Sequence, residues 1–257
     1  RAVLILDESG SIFGNETEVR DGAQAFVDAL TASSVPGSEP SLAVIEFSNN
    51  ATDVAINGST GYNSVDAAGT YSSDFSTYIS TFGPPSGAPL TNWADALART
   101  GTLMPLPELV VFFTDGLPTT GGGVTTAIVE ANKLRMDGVH IYVVGVDTLS
   151  GFISNVMNIS GLDQDSPPAG TPPPFEEADF IITDFAGLEE VFSDIPKQIC
   201  NTELQVTKTI SDDQFCPPDT AIFTIIIEDI MEGDGISAQS VIITDVSNNG
   251  YMYIAND

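Results

Sequence analysis

Asp7-Glu8-Ser9-Gly10-Ser11 sets a carboxylate and two hydroxyls at alternate positions of one short segment. Two distant segments offer matching oxygens: Thr91 within Leu90-Thr91-Asn92, and Asp115 within Phe113-Thr114-Asp115-Gly116. Such donors suit a hard divalent cation, since Mg²⁺ takes about six oxygens in a near-octahedral shell. Asp7 would supply charge, directly or through a water. Ser9, Ser11 and Thr91 would supply neutral hydroxyl oxygens, and Asp115 a second carboxylate. Two carboxylates roughly neutralise the ion, and the hydroxyls add no charge. A coordination position then stays open for water or for an acidic group of a partner. A cage of four carboxylates would instead hold the ion for itself.

The elements that must position these residues are legible from their apolar patterns. Ala2–Asp7 is a continuous apolar run, the mark of a strand buried on both faces. Thr17–Ala32 carries Val19, Ala23, Phe26, Val27 and Leu30 at helical spacing. Ser41–Ser48 reads as a strand, with Ala51–Ile56 as its hairpin partner at the sheet edge. Asn57–Thr70 reads as loop, and Tyr71–Phe82 and Trp93–Leu103 as helices. Glu108–Thr114 is a second buried strand, rich in β-branched and aromatic residues. Val124–Asp137 is a helix capped by Gly138. Val139–Val146 and Asp179–Thr183 are further strands, Phe185–Ile199 a last helix, and the prolines of 161–175 mark a stiff loop. Strands alternating with helices predict an α/β fold: a mainly parallel sheet with helices on both faces. Open sheets of this kind bind ligands beyond the carboxyl ends of their strands, which is where all three oxygen-bearing segments fall.

Beyond residue 200 the pattern becomes all-β: Leu204–Ile210, Thr220–Glu228 and Ala238–Asp245 have no helix between them. This predicts domains at 1–200 and 203–257. The second is too short for the roughly seven strands of a full sandwich, so the natural protein is expected to continue. Arg1 stands where a start methionine would, so an export signal is expected to precede it or to have been removed. Cys200 and Cys216 fit a disulfide across the domain junction in an exported protein, and two separate buried thiols fit as well. In the chain-entropy model, such a short loop would add about 3 kcal/mol.

The Asp7-Ser9-Ser11 motif, the Thr91 loop and the Thr-Asp-Gly turn at Asp115 occur in order, each after the right kind of element. Over residues 1–200 they resemble the metal-ion-dependent adhesion site of von Willebrand factor type A domains. The resemblance implies a Rossmann-like fold, with Mg²⁺, Ca²⁺ or Mn²⁺ bridging to a Glu or Asp of a partner. Here Gly87-Ala88-Pro89-Leu90 precedes Thr91, where relatives often carry glycines. Val206-Thr207-Lys208, Phe223-Thr224-Ile225 and Thr244-Asp245 resemble the start of an immunoglobulin-like repeat of bacterial surface proteins.

The 257 residues carry 36 acidic and 7 basic side chains, net −29. Nucleic acid and anionic membrane surfaces are thereby disfavoured as partners. No apolar run reaches the roughly 20 residues of a spanning helix. His140 is the only histidine and lies within a strand, so catalytic triads and zinc sites are not expected. Trp93 could rim the metal face or pack in the core. Gly121-Gly122-Gly123 reads as a turn beside the site. The expected function is a non-enzymatic, extracellular or cell-surface adhesion module whose partner, a protein or a glycan, offers the carboxylate. The rival reading is a filament or coat subunit that uses the same face to bind its own copies.

Overall fold

The computed structural model describes residues 1–34, 40–65, 72–85, 90–146, 151–161 and 179–199, and the backbone of 204–210 and 223–229. The strands are β1 (Ala2–Asp7), β2 (Ser41–Phe47), β3 (Ala51–Asp53), β4 (Ala55–Ile56), β5 (Ser59–Thr60), β6 (Asn63–Ser64), β7 (Leu109–Thr114), β8 (His140–Gly145), β9 (Phe180–Ile182), β10 (Leu204–Ile210) and β11 (Phe223–Asp229). The helices are α1 (Glu16–Ala32), α2 (Ser72–Ile79), α3 (Trp93–Thr100), α4 (Gly123–Met136), α5 (Phe152–Ile159) and α6 (Leu188–Ile199). The contacts divide the chain into Arg1–Asn201 and Thr202–Asp257.

In the first unit the sheet runs β3-β2-β1-β7-β8-β9, with β6 also on β2. From β2 to β9 neighbouring strands are parallel, while β3 and β6 are antiparallel to β2. The predicted α/β architecture is thus found. Chain order reverses between β1 and β7, so a crevice opens there at the carboxyl edge. Alternate residues feed two cores. Leu4, Leu6, Val44, Val111, Phe113 and Val144 pack under α1, α2 and α6. Val3, Ile5, Ile45, Phe47, Val110, Phe112 and Val143 pack under α3, α4 and α5.

Some edges differ from the sequence reading. Of the predicted hairpin partner Ala51–Ile56, only Ala51–Asp53 pairs with β2; Ala55–Ile56 turns away and pairs with β5. The segment read as loop contains β5 and β6, two-residue pairings that depend on neighbours and leave no pattern. Helix α5 was not anticipated. It is a single apolar-faced helix of eight residues, with Phe152, Val156 and Ile159 buried. Gly138 ends α4 as expected: at φ 83° it lets Val139 N–H reach the Leu134 carbonyl at 3.0 Å.

In the second unit β10 and β11 form an antiparallel ribbon. Cys200, Cys216 and Ala238–Asp245 lie outside the described residues.

Candidate metal centre

Asp7 is the last residue of β1, and its neighbour β7 ends at Thr114, immediately before Asp115. Strand parity sends Asp7 and Thr114 to the same face as Val3, Ile5, Val110 and Phe112. The Thr114 hydroxyl donates to Asp7 Oδ2 at 2.7 Å and accepts from the Trp93 indole N–H at 3.1 Å. Trp93 is therefore a core residue, fully buried against Phe112 and Phe152, and its one polar atom supports the site from below. Asp7 Oδ1 accepts the Ser9 backbone N–H at 2.9 Å. The Ser9 and Ser11 hydroxyls lie 3.0 Å apart, and Ser11 donates to Asp115 Oδ1 at 2.6 Å.

These bonds draw Asp7, Ser9, Ser11 and Asp115 into one continuous cluster. Asp7 and Ser9 are buried, Asp115 is half-buried and Ser11 exposed. Burial pushes the Asp7 carboxyl up to about 7, and repulsion from Asp115 adds to this; hydrogen bonds from Ser9 and Thr114 pull the other way. A buried carboxylate beside a second one, among hydroxyls, is a donor set that fits a hard divalent cation. Among the described residues no three His, Cys, Asp or Glu side chains gather as a metal-binding group. The fit rests on two carboxylates supplemented by hydroxyls.

Thr91 arrives on a separate segment and is buried, 5% exposed. It immediately precedes Asn92, whose Oδ1 caps α3 by accepting from Asp95 N–H at 3.2 Å. Asn92 Nδ2 donates to the Asn49 carbonyl at 2.9 Å, linking this loop to the end of β2. Asp95, in the first turn of α3, also accepts the Ala51 N–H at 2.6 Å. Sequence reasoning did not single out Thr114 or Thr119. Thr114 was within reach of it, because it shares strand parity with the core and stands next to Asp115.

A family model described as von Willebrand factor type A domain matches residues 3–194. Among curated proteins none matches the sequence. Solved structures share the fold. Proximal thread matrix protein 1 from the mussel byssus aligns at 21% identity and TM-score 0.55, over 77% of this chain and 45% of that one. A further structure of that protein has a zinc-occupied MIDAS motif. This chain therefore spans less than half of the mussel protein's length. The von Willebrand domain of the type V pilus tip protein Mfa5 from Porphyromonas gingivalis aligns at 12% identity and TM-score 0.56, covering 77% of this chain and 94% of that one. The manganese-loaded TRAP protein of Plasmodium vivax aligns at 18% identity and TM-score 0.51, over 88% and 76%.

Proposed function

The chain belongs to the von Willebrand factor type A family, and on that premise we propose that it is a cation-dependent binding module, not an enzyme. The observation that carries this reading is the bonded cluster of Asp7, Ser9, Ser11 and Asp115 at the switch point of the sheet. Asp7 and Asp115 are the charged ligands, and Ser9, Ser11 and Thr91 the neutral ones. When bound, Mg²⁺, Ca²⁺ or Mn²⁺ would supply an electrophilic position for a partner's carboxylate.

The protein's own residues set the rest. Thr114 and the Ser9 N–H orient Asp7, while Trp93 holds Thr114. Ser11 and Asp115 form the accessible rim where a partner would touch. The described cations of this domain are engaged within it: Arg1 with Glu108, Arg99 with Asp53, Lys133 with Glu130, Lys197 with Asp194, and Arg20 and Arg135 with backbone carbonyls. An acidic partner group is thus best received at the cation. The setting we infer is extracellular or at a cell surface, with a protein as partner. No helix of the described residues is long and apolar enough to cross a membrane.

Calorimetric titration of Mg²⁺ and Ca²⁺ into chelator-stripped protein tests the reading. Asp7→Ala and Asp115→Ala are expected to abolish one discrete site and leave only the loose cation uptake of an acidic surface. Identical titrations for all three proteins would remove the basis for the proposal.

A further inference from the structure

The loop that follows Asp115 is bonded in both directions to the loop that carries Thr91. Thr91 N–H donates to Thr119 Oγ1 at 2.9 Å. Thr119 N–H donates back to the Thr91 carbonyl at 2.9 Å, and Thr120 N–H reaches the same carbonyl at 3.3 Å. One residue later Gly121, at φ 67°, passes so close to Asn92 that a Cβ would lie 1.9 Å from Asn92 Oδ1. That approach and its positive φ both require glycine. Through Asn92 and Asn49 the same unit reaches the loop after β2.

Asp7, Ser9, Ser11 and Asp115 are joined by their own hydrogen bonds. Thr91 comes from a different segment, and what fixes its backbone is a residue only four positions after Asp115. The short stretch from Asp115 to Thr119 therefore works as a ruler between two of the ligands. Thr119 itself is exposed, so core packing does not account for its bonds.

We propose that Thr119 is a positioning residue: its hydroxyl and N–H set where Thr91 stands relative to Asp115, so that the two loops close one side of the cation site as a single clasp. This deepens the cation-site reading above and rests on it. Residues that orient a ligand without touching the ion commonly change metal affinity by about 10–100-fold.

The test combines Thr119→Val, which keeps the shape and removes the acceptor, with Thr119→Ser, Thr91→Ala and the Thr91→Ala/Thr119→Val double variant. Ca²⁺ affinity is measured by calorimetry. Terbium luminescence lifetimes in H₂O and D₂O report the waters on the bound ion. Amide exchange at Thr91 in the cation-free protein reports the clasp itself. Thr119→Val is expected to weaken Ca²⁺ binding about tenfold, to add a coordinated water and to speed Thr91 exchange. Thr119→Ser should restore all three readouts. In the Thr91→Ala background Thr119→Val should have no further effect on affinity, because it acts through Thr91. Wild-type affinity and hydration in Thr119→Val would overturn the clasp, and so would an equal loss in both backgrounds. Absence of a discrete site in the wild-type protein would instead overturn the cation reading and the clasp with it.

Discussion

Asp7 and Glu8 are consecutive, both carboxyls are pushed up to about 7, and they turn to opposite faces of the same sheet. In each, burial is the largest cause. Asp7 continues the row of Val3 and Ile5 and meets hydroxyls: Ser9, Thr114 and, through Ser11, the rim at Asp115. Glu8 continues the row of Leu4 and Leu6 and meets Glu46 of β2, with Ser48 donating to it at 3.4 Å. Glu46 is in turn held by the Tyr78 hydroxyl of α2 at 2.8 Å. Burial alone therefore does not distinguish a ligand from a structural acid. The neighbours do: hydroxyls and a second carboxylate at an exposed rim on one face, a half-buried carboxylate bonded to a phenol on the other.

The helical layers differ in the same sense. Around α1, α2 and α6 stand Glu16, Glu18, Asp21, Asp28, Asp74, Glu189, Glu190 and Asp194, against Arg20 and Lys197. Around α3 and α4 stand Asp95 and Glu130 against Arg99, Lys133 and Arg135, and α5 carries no charge. The layer that supports the cation site is nearly balanced, and the acidity of the helices is concentrated on the other.

The largest expected effect separates the two cores. Trp93→Ala and Phe26→Ala should each cost about 3–5 kcal/mol in denaturant unfolding. Only Trp93→Ala should also weaken Ca²⁺ binding, since it releases Thr114. Equal loss of binding in Phe26→Ala would mean that the faces are not independent. Next is Gly22→Ala. A Cβ there would lie 2.8 Å from Phe192 Cδ2 and 3.2 Å from Leu188 Cβ, between α1 and α6. A loss of about 1–3 kcal/mol is expected, with Ca²⁺ affinity unchanged.

Glu46→Gln addresses the half-buried acid pair of Glu8 and Glu46. Burial raises the folded-state pKa of Glu46 above its ordinary 4.5. The unfolded chain then gives up its proton first, so stability from this group falls as pH rises through that window. Glutamine still accepts from Tyr78 and carries no charge. The variant should match wild type at acid pH, exceed it above the window and show a flatter pH profile in thermal melts; a loss of stability at pH 8 would contradict this. The smallest effect belongs to the surface. Asp28→Lys on the acidic layer should raise the melting temperature slightly in low salt and not in 1 M salt, where screening is nearly complete. Glu130→Lys, which breaks the pair with Lys133, should lower it under the same low-salt conditions.

Much of the fold was legible because buried parallel strands are written as continuous apolar runs. β1, β7 and β8 fell within a residue or two of their predicted bounds. Helix α1, with its one-sided apolar pattern, and α4, ended by Gly138, were equally clear. α5 is no shorter than α2 or α3, but unlike them it carries no charged residue to mark a polar face, and it was missed. β5 and β6 were missed, and β4 was given the wrong partner, because two-residue bridges are decided by the partner strand and not by the segment itself.

The sequence by itself determined which oxygen-bearing residues stand at strand ends, because apolar runs fix the strands and the motif residues follow them directly. The tertiary structure decided how those residues are held. The register of β1 against β7 put Thr114 beside Asp7, and α3 brought the Trp93 indole beneath them. The loop after β7 met Thr91 through Thr119. These contacts join residues far apart in the chain, so their energies depend on the register between strands and on close approach of backbones, neither of which any local stretch of sequence encodes.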